Sequence, residues 1–194
     1  MVKGELGVKA AEKQKRILRE HVYPNIKPVC LGAEDDRMYR DHNMSLVEVT
    51  SPIVGYKKAR TFEGNRIHTA IIFLVLPVET RIMMSGGTDA SLHSKARADQ
   101  AYVQEIRMLN NSKGLFAVDD IFSMRKKSWR QIYELYTDDN HSHAVEEAYS
   151  LHMGPRFRYR PGKIVRPRRA FSLNPWTCDS GIHFFFNHIL AVAY

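Results

Sequence analysis

At 194 residues, 44% of them hydrophobic, the chain can fill one core, or one core and a substantial arm, so a single domain is the expectation. Lys and Arg outnumber Asp and Glu by 29 to 21, and the resulting charge of +8 favours an anionic partner: nucleic acid, an acidic protein surface or lipid headgroups. Two cysteines, Cys30 and Cys178, are too few for a disulfide framework, the charged opening MVKGELGVKAAEKQKRILRE lacks the apolar region of a signal peptide, and Ala70 to Val78 is too short to span a membrane.

Secreted and membrane-spanning classes are therefore set aside. A reducing cytosol, or a particle assembled in one, is the expected compartment. Residues Leu6 to His21 are rich in Ala, Glu, Lys, Gln, Arg and Leu and predict a helix that Pro24 terminates. Lys9, Lys13, Lys15, Arg16 and Arg19 make it basic, with a thin apolar stripe at Ala10, Gln14, Ile17 and Leu18. Asn25 to Asn43, with Pro28, Gly32 and the acidic knot Glu34, Asp35 and Asp36, shows no sustained period and reads as a connecting loop.

A structured body is expected from Met44, with a short strand before Pro52 and a second from Val54 to Ala59. Ile67 to Val78 is apolar on both alternating faces, as in a central strand covered on both sides, and Pro77 ends its regular pairing. The stretch MSGGTDASLHSKARADQ reads as a polar loop, and Ala101 to Leu109 alternates as another strand. A helix is predicted from Asp119 or Asp120 to Tyr136, with its aspartates at the N-terminus. Strands resume near Ala148 and Phe157, and Asn187 is placed to cap a short helix reaching Tyr194.

The expected fold class is therefore α+β: a small mixed or antiparallel sheet with a basic N-terminal helix, an inserted helix and a short C-terminal helix. The expected division is a basic helical arm and loop over 1–43 and one α+β domain over 44–194, carrying a helical insertion near 110–145. No internal repeat or low-complexity tract is present.

From Arg156 to Arg169 the chain is strongly basic, and Arg156, Arg158 and Arg160 alternate with Phe157 and Tyr159. At a period of two, the guanidinium groups share one strand face and the aromatic rings the other. The rings are expected in the core, and the charged face, with Lys163, Arg166, Arg168 and Arg169, is free to meet phosphates or carboxylates.

No catalytic set is evident. His183 lies in GIHFF among apolar neighbours and reads first as a buried, hydrogen-bonded histidine. Cys178, His183 and His188 stand five residues apart, but nucleophilic catalysis needs a placed base and an orienting group, and a metal needs three or four converging ligands. His141 and His143 lie in a polar loop, and SGG and PGK match neither a P-loop nor a dinucleotide fingerprint. The pairs Asp35-Asp36, Asp119-Asp120, Asp138-Asp139 and Glu146-Glu147 read as loops, a helix start or solvated faces. No cofactor or metal is implied.

From Val54 onward the chain resembles a small domain of unknown function found in proteins of large DNA viruses, phages and bacteria, often beside pentapeptide repeats. The resemblance is carried by Tyr56, Lys57 and Lys58, by Ile71 to Pro77, by SKARADQAYVQEI, by Phe157 and Tyr159, by PGKIV, and by Cys178 followed by Gly181, Ile182, His183, Phe184 and Phe185. The stretch from Asn110 to Val145 looks inserted relative to that family, and pentapeptide repeats are absent. The resemblance implies a viral setting, in the virion or host cytoplasm.

Together with the missing catalytic groups, it points to a noncatalytic structural or adaptor protein, a minor capsid component bridging other subunits through acidic surfaces. Two rivals stand beside it. One is a sequence-independent nucleic-acid-binding module using the same arginines; the other is an enzyme with a pocket near Tyr56, Cys178 and His183.

Overall fold

The computed structural model describes residue 12 and residues 15–85, 95–109, 142–151, 154–174 and 180–193. Twelve strands are present among them: β1 (Ile26–Pro28), β2 (Met44–Val49), β3 (Ile53–Glu63), β4 (Arg66–Leu76), β5 (Arg81–Ser85), β6 (Ala96–Ala98), β7 (Ala101–Leu109), β8 (Ser142–Ala144), β9 (Ala148–Ser150), β10 (Gly154–Tyr159), β11 (Ile164–Val165) and β12 (Ile182–Phe184). Two α-helices, α1 (Ala33–Asp41) and α2 (His188–Ala193), accompany them.

The α+β expectation is overturned. Among the described residues the structure is mostly β, 51% strand against 17% helix, in two antiparallel sheets, one of them a half-barrel. Among the described residues only α1 has seven or more residues, and it lies in the segment read as a connecting loop. Its acidic knot is a helix start: Glu34, Asp35 and Asp36 directly follow the first helical residue, Ala33. Of the expected N-terminal helix, residues 15–17 are helical and continue into a π-helical turn at Leu18–Val22, whose Leu18 and Val22 enter the core. The helix expected over 119–136 lies outside the described residues.

Strand β6 and the last two residues of β5 lie in the stretch read as a loop. Ala96–Ala98 offers no β-branched signal; it is a strand because β5 and β12 pair with it, and all three of its residues are buried.

One sheet runs β1-β2-β5-β6-β12 and the other β10-β9-β3-β4-β7-β11, with β8 beside β7. β3 and β4 form a long hairpin paired from Ile53↔Leu76 to Glu63↔Arg66, and β4 ends at Leu76, immediately before Pro77. β10 and β11 lie at opposite edges of their sheet, five interstrand steps or roughly 24 Å apart if it were flat. Tyr159 and Ile164 are five residues apart and can span at most about 18 Å. The sheet must curl.

Its concave face and the inner face of the other sheet enclose the main core, where Ile72, Leu74, Val103, Ile106 and Tyr159 meet Val47, Ile82, Ala98, Ile182 and Phe184. The two sheets also join directly. Just past β12, Phe185 exchanges both backbone hydrogen bonds with Tyr56 of β3, at 2.7 and 2.8 Å. Phe184 lies against Gly55, where a Cβ would come within 2.6 Å of its ring, so the close approach requires glycine. Outside the first sheet, α1 packs Met38 and Tyr39 on Leu46 and Met83.

Candidate interaction surface

The basic stretch forms the corner that links the two edges of the curled sheet. Tyr159 is buried, Phe157 packs beside it at 5.1 Å between ring centroids, and both belong to the main core. Arg158 and Arg160 remain exposed. Arg156 stands in β10 with its side chain outside the described set. After Arg160 the chain turns through Gly162, whose φ of 76° is the left-handed region that glycine occupies without strain. The turn is fastened to β7: the Gly162 N–H donates to the Val103 carbonyl, and the Val103 N–H to that of Lys163.

Arg158 and Arg160 share one carboxylate. Their guanidinium groups lie 3.5 and 3.3 Å from Glu147 Oε2, while the Tyr149 hydroxyl donates to Glu147 Oε1. The Tyr149 hydrogen bond, aided by both arginines, holds the Glu147 carboxyl below the usual carboxylate range. The same bond raises the Tyr149 phenol. Glu147 is also fixed through its backbone, which accepts from Thr61 Oγ1 at 2.7 Å.

Lys163, Arg166, Arg168 and Arg169 continue the exposed basic run. Arg166 donates to the side chain of Gln100 at 2.9 Å, and the Arg169 carbonyl accepts from Ser180 Oγ. Six exposed basic side chains therefore follow one another from Arg158 to Arg169, with one carboxylate between two of them.

The other candidate group converges on the junction of the sheets. Tyr56 packs edge-on against Phe73 and His188, with Phe185, Leu190 and Ala191 beside it, and this burial raises its phenol. His183 stands opposite Arg97 in the β12–β6 pairing. Gly181 lies where a Cβ would meet that of Arg97 at 3.0 Å, so the block GIHFF is packed closely along its length. Cys178 lies outside the described residues. Cys30 is exposed with a free thiol.

One residue at this junction was noted only through the resemblance, with no inward placement expected of it. Lys57 projects inward from β3, and its Nζ donates to the His183 carbonyl at 2.9 Å over the ring of Tyr159. Burial, with help from the charge of Lys95, pushes its pKa down to about 8, and burial does the same to Lys58 on the opposite strand face. The raised phenol of Tyr159 has the same origin. A lysine in an alternating strand normally reads as solvent-facing, and nothing in the local pattern signals otherwise.

Among the described residues no three His, Cys, Asp or Glu side chains gather as a metal site, and no helix is long and apolar enough to cross a membrane. No family model matches the chain, and no curated protein or solved structure matches it.

Proposed function

We propose that this chain is a noncatalytic structural or adaptor protein that engages an acidic surface of a partner protein through Arg158, Arg160, Lys163, Arg166, Arg168 and Arg169. The observation that carries this reading is the division of the basic strand: its arginines are exposed while Phe157 and Tyr159 are turned into the core. A single-strand nucleic-acid platform combines a basic groove with aromatic faces on which bases stack. Here the charges remain outside and the rings do not, which favours carboxylates over bases. The resemblance to the domain of large DNA viruses, phages and bacteria supports a setting in the virion or host cytoplasm, as a minor capsid component bridging other subunits.

Affinity purification of the intact chain from its native source at moderate salt, with nuclease added, followed by mass spectrometry, tests the reading. Stoichiometric recovery of an assembly protein, lost on raising the salt, is the expected result. Recovery that collapses on nuclease treatment would replace it with the nucleic-acid reading.

A further inference from the structure

The outer face of the curled sheet is closed over its middle and open toward the β3–β4 turn. Lys58, Ile71 and Thr69 are buried on it, whereas Phe62 and Ile67, the pair nearer the turn, are 46% and 37% exposed. Phe62 meets the ring of Tyr149 edge-on, 5.4 Å between centroids. Register sets cations around this aromatic pair. Arg60 stands opposite Tyr149 and Tyr149 opposite Arg158, so the three share the face of Phe62 across roughly 10 Å. Arg160 joins them through the Glu147 carboxylate that it shares with Arg158.

Three guanidinium groups therefore surround one carboxylate. Arg158 and Arg160 share it, while Arg60 makes no ion pair among the described residues, and its buried Nε has no hydrogen-bond partner there. The next carboxylate along β3, Glu63, belongs to the opposite strand face, 3.6 Å from His68. A buried guanidinium nitrogen without an acceptor leaves its desolvation uncompensated, and a carboxylate arriving from outside would supply the bond. Beside it, Phe62 and Ile67 offer apolar area for another side chain to cover. Arginine and aromatic residues are the types enriched where protein interfaces carry their binding energy. Bases fit less well, because a single-strand platform presents ring faces for successive stacking, and these two rings are inclined at 74°.

We infer that the patch formed by Arg60, Phe62, Ile67, Tyr149 and Arg158 receives an acidic peptide segment of the partner, one that carries an apolar side chain beside a carboxylate. The carboxylate pairs with Arg60, and the apolar side chain covers Phe62 and Ile67. The inference rests on the adaptor reading and extends its contact from Arg158 and Arg160 onto β3 and β4.

Fluorescence anisotropy of a labelled peptide, glutamates around one central phenylalanine, tests the inference on the intact chain. The peptide is expected to bind. Replacing its phenylalanine by serine, or using the variants F62S or R60Q, is expected to weaken binding roughly tenfold in each case. No binding would overturn the inference, as would binding that F62S leaves intact, since that is charge attraction alone. Should F62S lose its cooperative melt, the serine peptide on the wild-type chain decides: weaker binding supports the inference, and equal binding overturns it. A thymidylate oligomer that binds more tightly than the peptide and is lost in F62S would give the patch to nucleic acid, and a wild-type dimer that F62S dissolves would give it to a second copy; either overturns the inference. Partner recovery that F62S and R60Q leave unchanged would sink the inference and leave the adaptor reading standing. Peptide binding without any recovered partner would sink the adaptor reading alone.

Discussion

Lys57 and Lys58 set an unusual pH dependence. Both have folded-state pKa values pushed down to about 8 from 10.5, so between those values the unfolded chain binds more protons and stability rises with pH. The phenol of Tyr159 is raised above its ordinary 10, so above that pH the unfolded chain releases its proton first and stability falls again. Urea midpoints should therefore climb from pH 8 to a maximum near 10 and then drop. Each lysine contributes on the order of 2–3 kcal/mol to the climb. Lys57→Met should flatten about half of it; an unchanged slope would mean that Lys57 is better solvated than its surroundings indicate.

At the same scale, Gly55→Ala forces a methyl group into the ring of Phe184 and should cost about 1–3 kcal/mol in denaturant unfolding. A loss of only a few tenths would show that Phe184 can move aside. Glu147→Gln removes the carboxylate shared by Arg158 and Arg160. Exposed pairs of this kind contribute at most about 1 kcal/mol to stability. The larger expected effect is on binding: the variant should elute from an acidic resin at higher salt than the parent, and earlier elution would contradict the assignment of these arginines as the contact.

The alternation of arginine with Phe157 and Tyr159 was readable because a strand's period of two is written directly in the side chains. The burial of Lys57 was not, because it depends on β12, which arrives 126 residues later at His183.

Strands β3, β4 and β7 were legible at the scale of elements, being long, β-branched and punctuated by Pro52 and Pro77. β1, β5 and β6 were not: three to five residues long, they carry too little pattern, and their partners in the sheet decide their state. Helix α1 was missed because an acidic cluster followed by Met38 and Tyr39 looks like loop punctuation until the underlying sheet supplies Leu46 and Met83.

The exposed edges are blunted: β1 ends in Pro28, β10 contains Pro155 and a register irregularity, and β11 is two residues long. Contacts through the sheet faces are accordingly expected over edge-to-edge addition, and the purified chain should not form fibres on prolonged incubation. Thioflavin-positive growth would show an unprotected edge. The corner between β10 and β11 depends on a left-handed residue, so Gly162→Ala should cost roughly 1–2 kcal/mol, read as a lowered melting temperature. No change would indicate that the turn can be remade with another geometry.

At the scale of the molecule, the described surface carries a run of six exposed basic side chains from Arg158 to Arg169, along and beyond the link between β10 and β11. If all six of these side chains face an acidic partner, binding should weaken steeply between low and physiological salt. A flat salt dependence would remove the corner from the contact.

The junction of the sheets also bears on synthesis. β3 and β6 leave the ribosome long before β12, yet the bridge from Phe185 to Tyr56 and the pairing of Ile182 with Ala98 both await that last strand. Until it emerges, Gly55 lacks its aromatic cover and Ala98 lacks one of its two strand partners. Closure of the two sheets on each other is thus the last step that the order of synthesis allows.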